Sequence, residues 1–186
     1  MQVENINYEI NNIKADEDVF RTLLGKQPHY EVTKETSDIL LSNLNSDILI
    51  TIFTNPHCNP CGRMHKKVNA LIAQNKNTCI QYMLSSFNKE LDISNKYLIG
   101  VYQQKNRYAM HIFDEWFDSG MFNKEEFFRK YPVEKENINV GSEFNKHEQW
   151  KEKSGLRATP TILVNGYKLP DNYKIEDLRF ISNIEI

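Results

Sequence analysis

Apolar residues recur along the chain with two different spacings. From Ile48 to Phe53 nearly every residue is β-branched or aromatic, which is typical of a strand buried on both faces. Further on, apolar residues follow one another every three or four positions, as in an amphipathic helix; they are Met64, Val68, Leu71 and Ile72. Residues 78–87 then read as a second strand, so this part of the sequence predicts a βαβ unit.

The two ends of the chain predict further elements. Residues 1–27 indicate a short helix or an extension packed on the body, and "HYEV" at 29–32 indicates a short strand. Near the C-terminus, Thr161–Val164 is a predicted strand, and the pair Asn165–Gly166 is a strong signal for a two-residue hairpin. An antiparallel strand at 167–169 and a short helix in "KIEDLRFIS" are expected to follow.

Residues 88–153 have a helical pattern. The aromatic residues of this block are predicted to be mainly core; they include Trp116, Phe117, Phe127, Phe128 and Trp150. Asn123 followed by Glu126 resembles a capping box, and residues 132–141 read as a polar connector.

The order of elements predicts an α/β fold: one small domain with a central mixed sheet and an inserted helical subdomain. Residues 36–87 and 154–186 would form that domain, because both segments are needed to complete one sheet. Residues 88–153 would be the insertion, and residues 1–35 an N-terminal extension.

Composition and charge exclude several functional classes. The chain has 186 residues, of which 40% are apolar, and 23 basic residues face 25 acidic ones for a net charge of −2. A nucleic-acid binder usually shows a basic face or stripe, so that function is not expected. No apolar run approaches the ~20 residues of a membrane helix, and no signal peptide is expected. The protein is then either cytosolic or the mature or excised part of something longer.

The segment "TNPHCNPCGRMHKK", residues 54–67, carries the candidate chemistry. Cys58 is predicted at the start of the helix, where unpaired backbone N–H groups and the helix dipole stabilise a thiolate. The thiolate is the nucleophilic form of cysteine. Cys61, about one turn further on and more shielded, could resolve a mixed disulfide formed at Cys58.

Other roles for these residues stay open. A structural zinc site would need further ligands, with His57, His65 and Cys79 as candidates, whereas a structural disulfide would close a loop too short to be useful. Cys79 is most simply a buried, inert thiol. His57 would either contact the substrate and tune the thiolate, or be an ordinary half-exposed turn residue.

Thr159 and Pro160 precede a predicted strand, where proline is tolerated only at the first residue or at an edge. A cis bond there would turn the chain sharply and leave the Thr159 backbone free to pair with an extended peptide. A trans proline at a strand start is the ordinary alternative.

Together, "ILITIFTNPHCNPC" and the later "ATPTILVNG" resemble the thioredoxin superfamily. The helical block between them makes the chain similar to the DsbA-like branch of bacterial thiol-disulfide oxidoreductases, over roughly residues 38–180. The resemblance implies a thioredoxin-like fold for the domain of residues 36–87 and 154–186, with Cys58 as the nucleophile, Cys61 as the resolving thiol and Thr159–Pro160 as a cis-proline loop. It also implies protein substrates with thiols or disulfides, contacted through His57, Thr159 and Pro160, and no cofactor.

More narrowly, the chain resembles soluble thioredoxin-like domains that some bacteria fuse to a vitamin K epoxide reductase-like membrane domain. That resemblance implies reoxidation by such a domain and a periplasmic or otherwise extracytoplasmic location. Many such relatives carry a buried carboxylate six residues before the nucleophile, where this chain has Ile52. The direction of electron flow is therefore open: oxidase, reductase or isomerase.

Two other functions remain to be distinguished from this one. The first is a peptide-binding chaperone or adaptor that uses the helical block and the Thr159–Pro160 loop. The second is a metal-binding protein that uses Cys58, Cys61 and a nearby histidine.

Overall fold

The computed structural model describes residues 2–134 and 139–184. Six α-helices and five strands lie within these ranges, joined by short 3₁₀ helices. In chain order they are α1 (Gln2–Ala15), α2 (Glu17–Leu24), β1 (Leu40–Ser42), β2 (Leu49–Thr54), α3 (Asn59–Gln74), β3 (Cys79–Leu84), α4 (Asp92–Asp118), α5 (Lys124–Lys130), α6 (Val140–Ser154), β4 (Thr161–Val164) and β5 (Tyr167–Lys168).

The strands form one mixed sheet in the order β1-β3-β2-β4-β5. β2 is parallel to β3 and antiparallel to β4, and β1 and β5 are antiparallel edge strands. Every residue of β2 is buried, because α3 covers one face of the sheet and Trp150 of α6 packs on the other. This confirms the predicted mixed sheet and βαβ unit.

One expectation for the first strands is wrong. "HYEV" is not a strand, since only His29 forms a bridge, with Tyr167. The neighbouring β5 has just two residues and offers no longer ladder. The first strand is instead β1, a three-residue segment that pairs with the start of β3.

The predicted hairpin is confirmed. Asn165 and Gly166 both have positive φ, 47° and 85°, as a tight primed turn requires. A Cβ at Gly166 would lie 2.6 Å from the Tyr30 carbonyl oxygen, so a larger residue would displace that neighbouring segment. The Asn165 side chain also accepts a hydrogen bond from the Leu49 N–H at 2.7 Å, which ties the turn to β2.

The block between β3 and β4 is helical, as predicted. α4 runs for 27 residues with a break in helical geometry at Lys105. The prediction of a capping box is wrong. The Asn123 side chain does not cap α5 and instead donates a hydrogen bond to the Glu126 carboxylate. Of the predicted connector, residues 135–138 lie outside the described residues.

The N-terminal segment forms two helices, of which α2 buries Phe20 and Leu24 in the main core. Lys14 of α1 bonds Asp177 at 3.0 Å, in the 3₁₀ helix Ile175–Phe180 that closes the chain. No helix in the described ranges is long and apolar enough to cross a membrane. The domain boundaries expected from the sequence stay a prediction.

Candidate active site

Cys58 lies between the end of β2 and the first turn of α3. Its backbone is extended, with φ −109° and ψ 117°, and it is the N-cap residue of α3. The Cys58 Sγ accepts a hydrogen bond from the Cys61 N–H at 3.4 Å. Pro60 lies in this first turn, where its missing N–H costs the helix nothing. The side chain that caps the helix is thus a sulfur, and the local backbone dipoles favour negative charge on it.

Cys61 is almost fully buried, whereas Cys58 is partly exposed. Burial, together with the hydrogen bond to Cys58, raises the pKa of the Cys61 thiol to about 11. The Asn55 N–H donates to the Cys61 sulfur at 3.4 Å and only partly offsets this effect. The pair therefore consists of an accessible sulfur at the helix end and a shielded sulfur that holds its proton at neutral pH.

The loop before β4 faces the cysteines. The Thr159–Pro160 peptide bond is cis, which confirms that expectation. The Cys58 Sγ donates to the Thr159 carbonyl oxygen at 3.7 Å. Two motifs that are remote in sequence thus meet where β2 ends and β4 begins.

His57 points into the protein. Its Nε2 lies 2.7 Å from the Ser94 Oγ, and its ring edge contacts Trp116 at a centroid distance of 5.4 Å. Burial first, and then the charge of Lys124, lowers the pKa of His57, against a hydrogen bond to the Met121 backbone. The imidazole is therefore neutral at pH 7, and these contacts favour a role in holding the turn.

The core next to the cysteines contains a polar chain that sequence reasoning missed. Ile52, at the position expected for a carboxylate in relatives, pairs with Tyr82 on the adjacent parallel strand. The Tyr82 hydroxyl lies 2.6 Å from the His65 Nδ1, and the His65 Nε2 lies 2.7 Å from the Asp114 Oδ1. The one signal in the sequence is that His65 follows Cys61 by four residues and so shares its helix face.

The residues considered for zinc are not gathered together. Cys79 pairs with Leu49 at the start of the ladder, about 16 Å from the end where Cys58 lies, at ~3.3 Å per residue. Burial raises the pKa of the Cys79 thiol, and both ring nitrogens of His65 are engaged. Within residues 2–134 and 139–184, no three His, Cys, Asp or Glu side chains are grouped to hold a metal.

Several known structures share this fold. BdbD from Bacillus subtilis in its oxidised form aligns with a TM-score of 0.65 and 12% identity, over 82% of this chain and 94% of that one. The oxidoreductase DsbA from Xylella fastidiosa gives 0.57 and 18%, over 74% and 83%. The thiol-disulfide exchange protein alpha-DsbA2 from Wolbachia pipientis gives 0.62 and 12%, over 91% and 94%. At these identities the likeness shows a common fold.

A comparison with curated proteins found no match. A family model described as thioredoxin matches residues 34–182, which include both cysteines and the cis-proline loop. The match covers most of the sequence and all five strands of the sheet. This chain therefore belongs to the thioredoxin family.

Proposed function

We propose that this protein is an enzyme, a thiol-disulfide oxidoreductase that exchanges disulfides with cysteines of protein substrates. One observation carries the proposal: the accessible Cys58 sulfur caps α3 while the buried Cys61 thiol lies one turn behind it. Such an arrangement separates a nucleophile from a resolving group. The known structures named as an oxidoreductase and a thiol-disulfide exchange protein support the same activity.

The exchange has two steps in the oxidising direction. A client thiolate attacks the Cys58 sulfur of the 58–61 disulfide, so a Cys58–client bond forms and Cys61 leaves with the electron pair and takes a proton. A second client thiolate then attacks the client sulfur, a client disulfide forms, and Cys58 leaves as the thiolate that the helix end stabilises.

In the reducing direction the roles reverse. The Cys58 thiolate attacks a client disulfide and releases one client sulfur. Cys61 then loses its proton, attacks Cys58 and releases the second client sulfur, leaving the 58–61 disulfide.

We assign client binding to the surface around the cysteines, where β2 ends and β4 begins. The Thr159 carbonyl already lies beside the Cys58 sulfur, so an extended client strand that pairs with residues 159–160 would place its own sulfur there. His57, bonded to Ser94, would act mainly by holding the turn that carries Cys58.

Single cysteine substitutions test the proposal. Cys58→Ser and Cys61→Ser should each abolish turnover in insulin reduction and in oxidation of a dithiol peptide. Cys79→Ser is the matched control, because it removes the third thiol of the chain at a site remote from the pair. Equal activity of the wild type and the Cys58→Ser variant would refute the function.

Trapping distinguishes the two cysteines. Cys61→Ser should accumulate mixed disulfides with oxidised clients through Cys58, because the Cys58 thiolate opens the client disulfide and no second thiol then resolves the adduct. Cys58→Ser should accumulate far fewer, because the two remaining thiols, Cys61 and Cys79, are buried and have raised pKa values. Peptide mapping of the adducts identifies the sulfur involved.

A peptide-binding function is the second candidate, favoured by a surface cavity of about 490 Å³ on the helical block. Its lining is mainly apolar; it consists of Ile93, Lys96, Tyr97, Phe128, Pro132, Val133, Val140 and Gly141. If both cysteine variants bind an unfolded protein as tightly as the wild type, and Val133→Asp does not, the cavity has a function separate from exchange.

Location and redox partner follow from the direction of exchange. We propose that the protein donates disulfides outside the cytoplasm, where such bonds persist, and that a membrane oxidase of the vitamin K epoxide reductase type reoxidises it. The equilibrium constant of the 58–61 pair with glutathione tests this. A strongly reducing pair would indicate reduction of clients instead.

A further inference from the structure

Tyr82, His65 and Asp114 form a hydrogen-bonded chain from the core to the surface. Tyr82 and His65 are 1% and 2% exposed, and the Asp114 side chain is 44% exposed. Asp114 borders an open surface cleft of about 460 Å³. The chain of hydrogen bonds therefore has one end beside the buried part of the active site and the other end in water.

The direction of these hydrogen bonds follows from the groups at the two ends. Burial raises the pKa of Tyr82, so the phenol keeps its proton and donates to the His65 Nδ1. Hydrogen bonds from His65 and Asn69 outweigh partial burial and lower the pKa of Asp114, so its carboxylate accepts from the Nε2–H. The imidazole thus connects a phenol on one ring nitrogen with a carboxylate on the other, an arrangement that can relay a proton through the ring.

This chain lies next to the resolving thiol. His65 and Cys61 are four residues apart on α3, and both face the core, so their side chains are neighbours on one helix face. Tyr82 and Cys61 pack in the same buried core cluster, and negative charge at Cys61 adds to the rise of the Tyr82 pKa. Cys61 itself, with its pKa raised to about 11, needs a proton acceptor before it can attack.

We propose that the Tyr82–His65–Asp114 chain takes up the proton that Cys61 loses when it resolves a mixed disulfide, and passes it to the surface cleft. This inference rests on the proposed exchange function. The Cys61–Cys58 bond forms, the Cys58–client bond breaks, and the electron pair leaves with the client sulfur. The Cys61 proton moves to the Tyr82 oxygen while the phenol proton moves to the His65 Nδ1. The Nε2 proton then leaves by way of Asp114 to water.

The charges that face His65 come from three elements. Cys61 lies on its own helix, Tyr82 comes from β3 and Asp114 from α4. Lys66, His111 and Asp118 line the cleft that Asp114 borders. Lys66 is paired with Asp118 at 2.7 Å, and His111 lies 3.3 Å from Glu115. These outer charges form ion pairs with each other or with Glu115 and not with the imidazole. The groups that act on the His65 ring directly are therefore Tyr82, Asp114 and Cys61.

A two-phase reaction with dithiobis(nitrobenzoate) isolates the step. Attack by Cys58 on the reagent releases one coloured thiolate, and attack by Cys61 on the resulting mixed disulfide releases a second. Stopped-flow absorbance separates the phases, and Cys61→Ser, which should lack the second, assigns them. The variants are Tyr82→Phe and Asp114→Asn. Their matched controls are Tyr102→Phe, a buried tyrosine bonded to the Leu40 carbonyl, and Asp118→Asn, one turn beyond Asp114.

The expected result is a second phase at least tenfold slower near pH 7 in both variants, a lower bound on the roughly 10²–10⁴-fold contribution typical of general acid–base catalysis. The first phase should stay within twofold of the wild type. The second-phase rate of the variants should also rise tenfold per pH unit to a higher pH than in the wild type, because hydroxide replaces the missing acceptor. A loss of packing alone would not change the pH profile in this way.

Unchanged second phases in Asp114→Asn and Tyr82→Phe would overturn the proposal, as would equal slowing in the two controls. If Tyr82→Phe does not fold, the second-phase rate of Asp114→Asn decides the question, because this substitution changes a half-exposed side chain and should leave the fold intact. A wild-type protein that releases no second thiolate would instead refute the exchange function itself, and the proton path with it.

Discussion

His65 and His147 are both buried histidines bonded to a helical carboxylate, but they lie on opposite faces of the sheet. The partner of His65 is Asp114, on a different helix and 44% exposed. The partner of His147 is Glu143, one turn earlier on α6 and 1% exposed, at 3.0 Å. One cluster leads to water and adjoins a cysteine, and the other is enclosed by protein.

The enclosed cluster joins three parts of the fold. The His147 Nε2 lies 2.9 Å from the Ser37 Oγ, and its Nδ1 lies 3.2 Å from the Leu84 backbone nitrogen at the end of β3. The Asp38 N–H donates to Glu143 at 2.6 Å. All of these partners are structural, so the imidazole by itself does not indicate chemistry. What distinguishes the two sites is the exposure of the carboxylate and the presence of a thiol.

The largest expected effect comes from the enclosed carboxylate. Glu143→Gln removes the charge that His147 and Lys146 face and should lower the free energy of unfolding by about 3 kcal/mol, since breaking a buried pair leaves charges uncompensated. Urea denaturation measures it, with Glu152→Gln on the exposed side of α6 as control. The folded variant should resolve mixed disulfides at the wild-type rate. A slowed resolution step would break the distinction between the two clusters.

The same carboxylate should make stability depend on acid. Burial opposes ionisation of Glu143, but hydrogen bonds from His147, Lys146 and the Asp38 N–H prevail and lower its pKa from 4.5 to about 2. A carboxyl group whose pKa is lower in the folded than in the unfolded state stabilises the fold at pH values above its unfolded-state pKa. That stabilisation is lost as the pH falls through its folded-state pKa. The difference in unfolding free energy between wild type and Glu143→Gln should thus stay constant above about pH 5.5 and shrink between pH 4.5 and 2. A constant difference across that window would refute the assignment.

A smaller change in stability is expected at the exposed end of the other cluster. Asp114→Asn keeps the shape of a half-exposed side chain and should lower the free energy of unfolding by about 1 kcal/mol or less, because water screens and replaces its interactions. The two amide substitutions then rank oppositely: Glu143→Gln affects mainly stability, and Asp114→Asn mainly the resolution rate. Urea denaturation and the two-phase thiol assay on the same preparations compare them directly.

Local patterns predicted the parts of the site that depend on local geometry. The run before Cys58, the apolar spacing after Cys61 and the Asn165–Gly166 turn each determine a short segment, and all three are confirmed. The meeting of Thr159 with Cys58 followed from the resemblance to a known fold, which supplied the long-range contact that the sequence spacing lacks.

The polar chain could not be predicted in that way. His65 contacts Tyr82 across 17 positions and Asp114 across 49, and the second contact depends on how α4 packs on α3. The spacing of His65 from Cys61 is compatible with a zinc ligand as well, so by itself it does not indicate a polar chain. β1 escaped prediction for a related reason: its three residues are specified by pairing with β3 and too short to show a period.

The smallest effect should come from Asp118, which tests whether any carboxylate at the cleft can replace Asp114. It lies one turn further along α4 and bonds Lys66 at 2.7 Å, with both side chains 64% exposed. Asp118→Asn should change the free energy of unfolding by less than about 0.5 kcal/mol, as is usual for exposed ion pairs, and leave both phases of the thiol reaction within twofold of wild type. Asp118 has the same chemistry and nearly the same location as Asp114, but it bonds Lys66 and not His65. A resolution rate lowered as much as in Asp114→Asn would therefore show that the cleft acts through its overall negative charge. An unchanged rate, beside a slow Asp114→Asn, requires the imidazole contact itself.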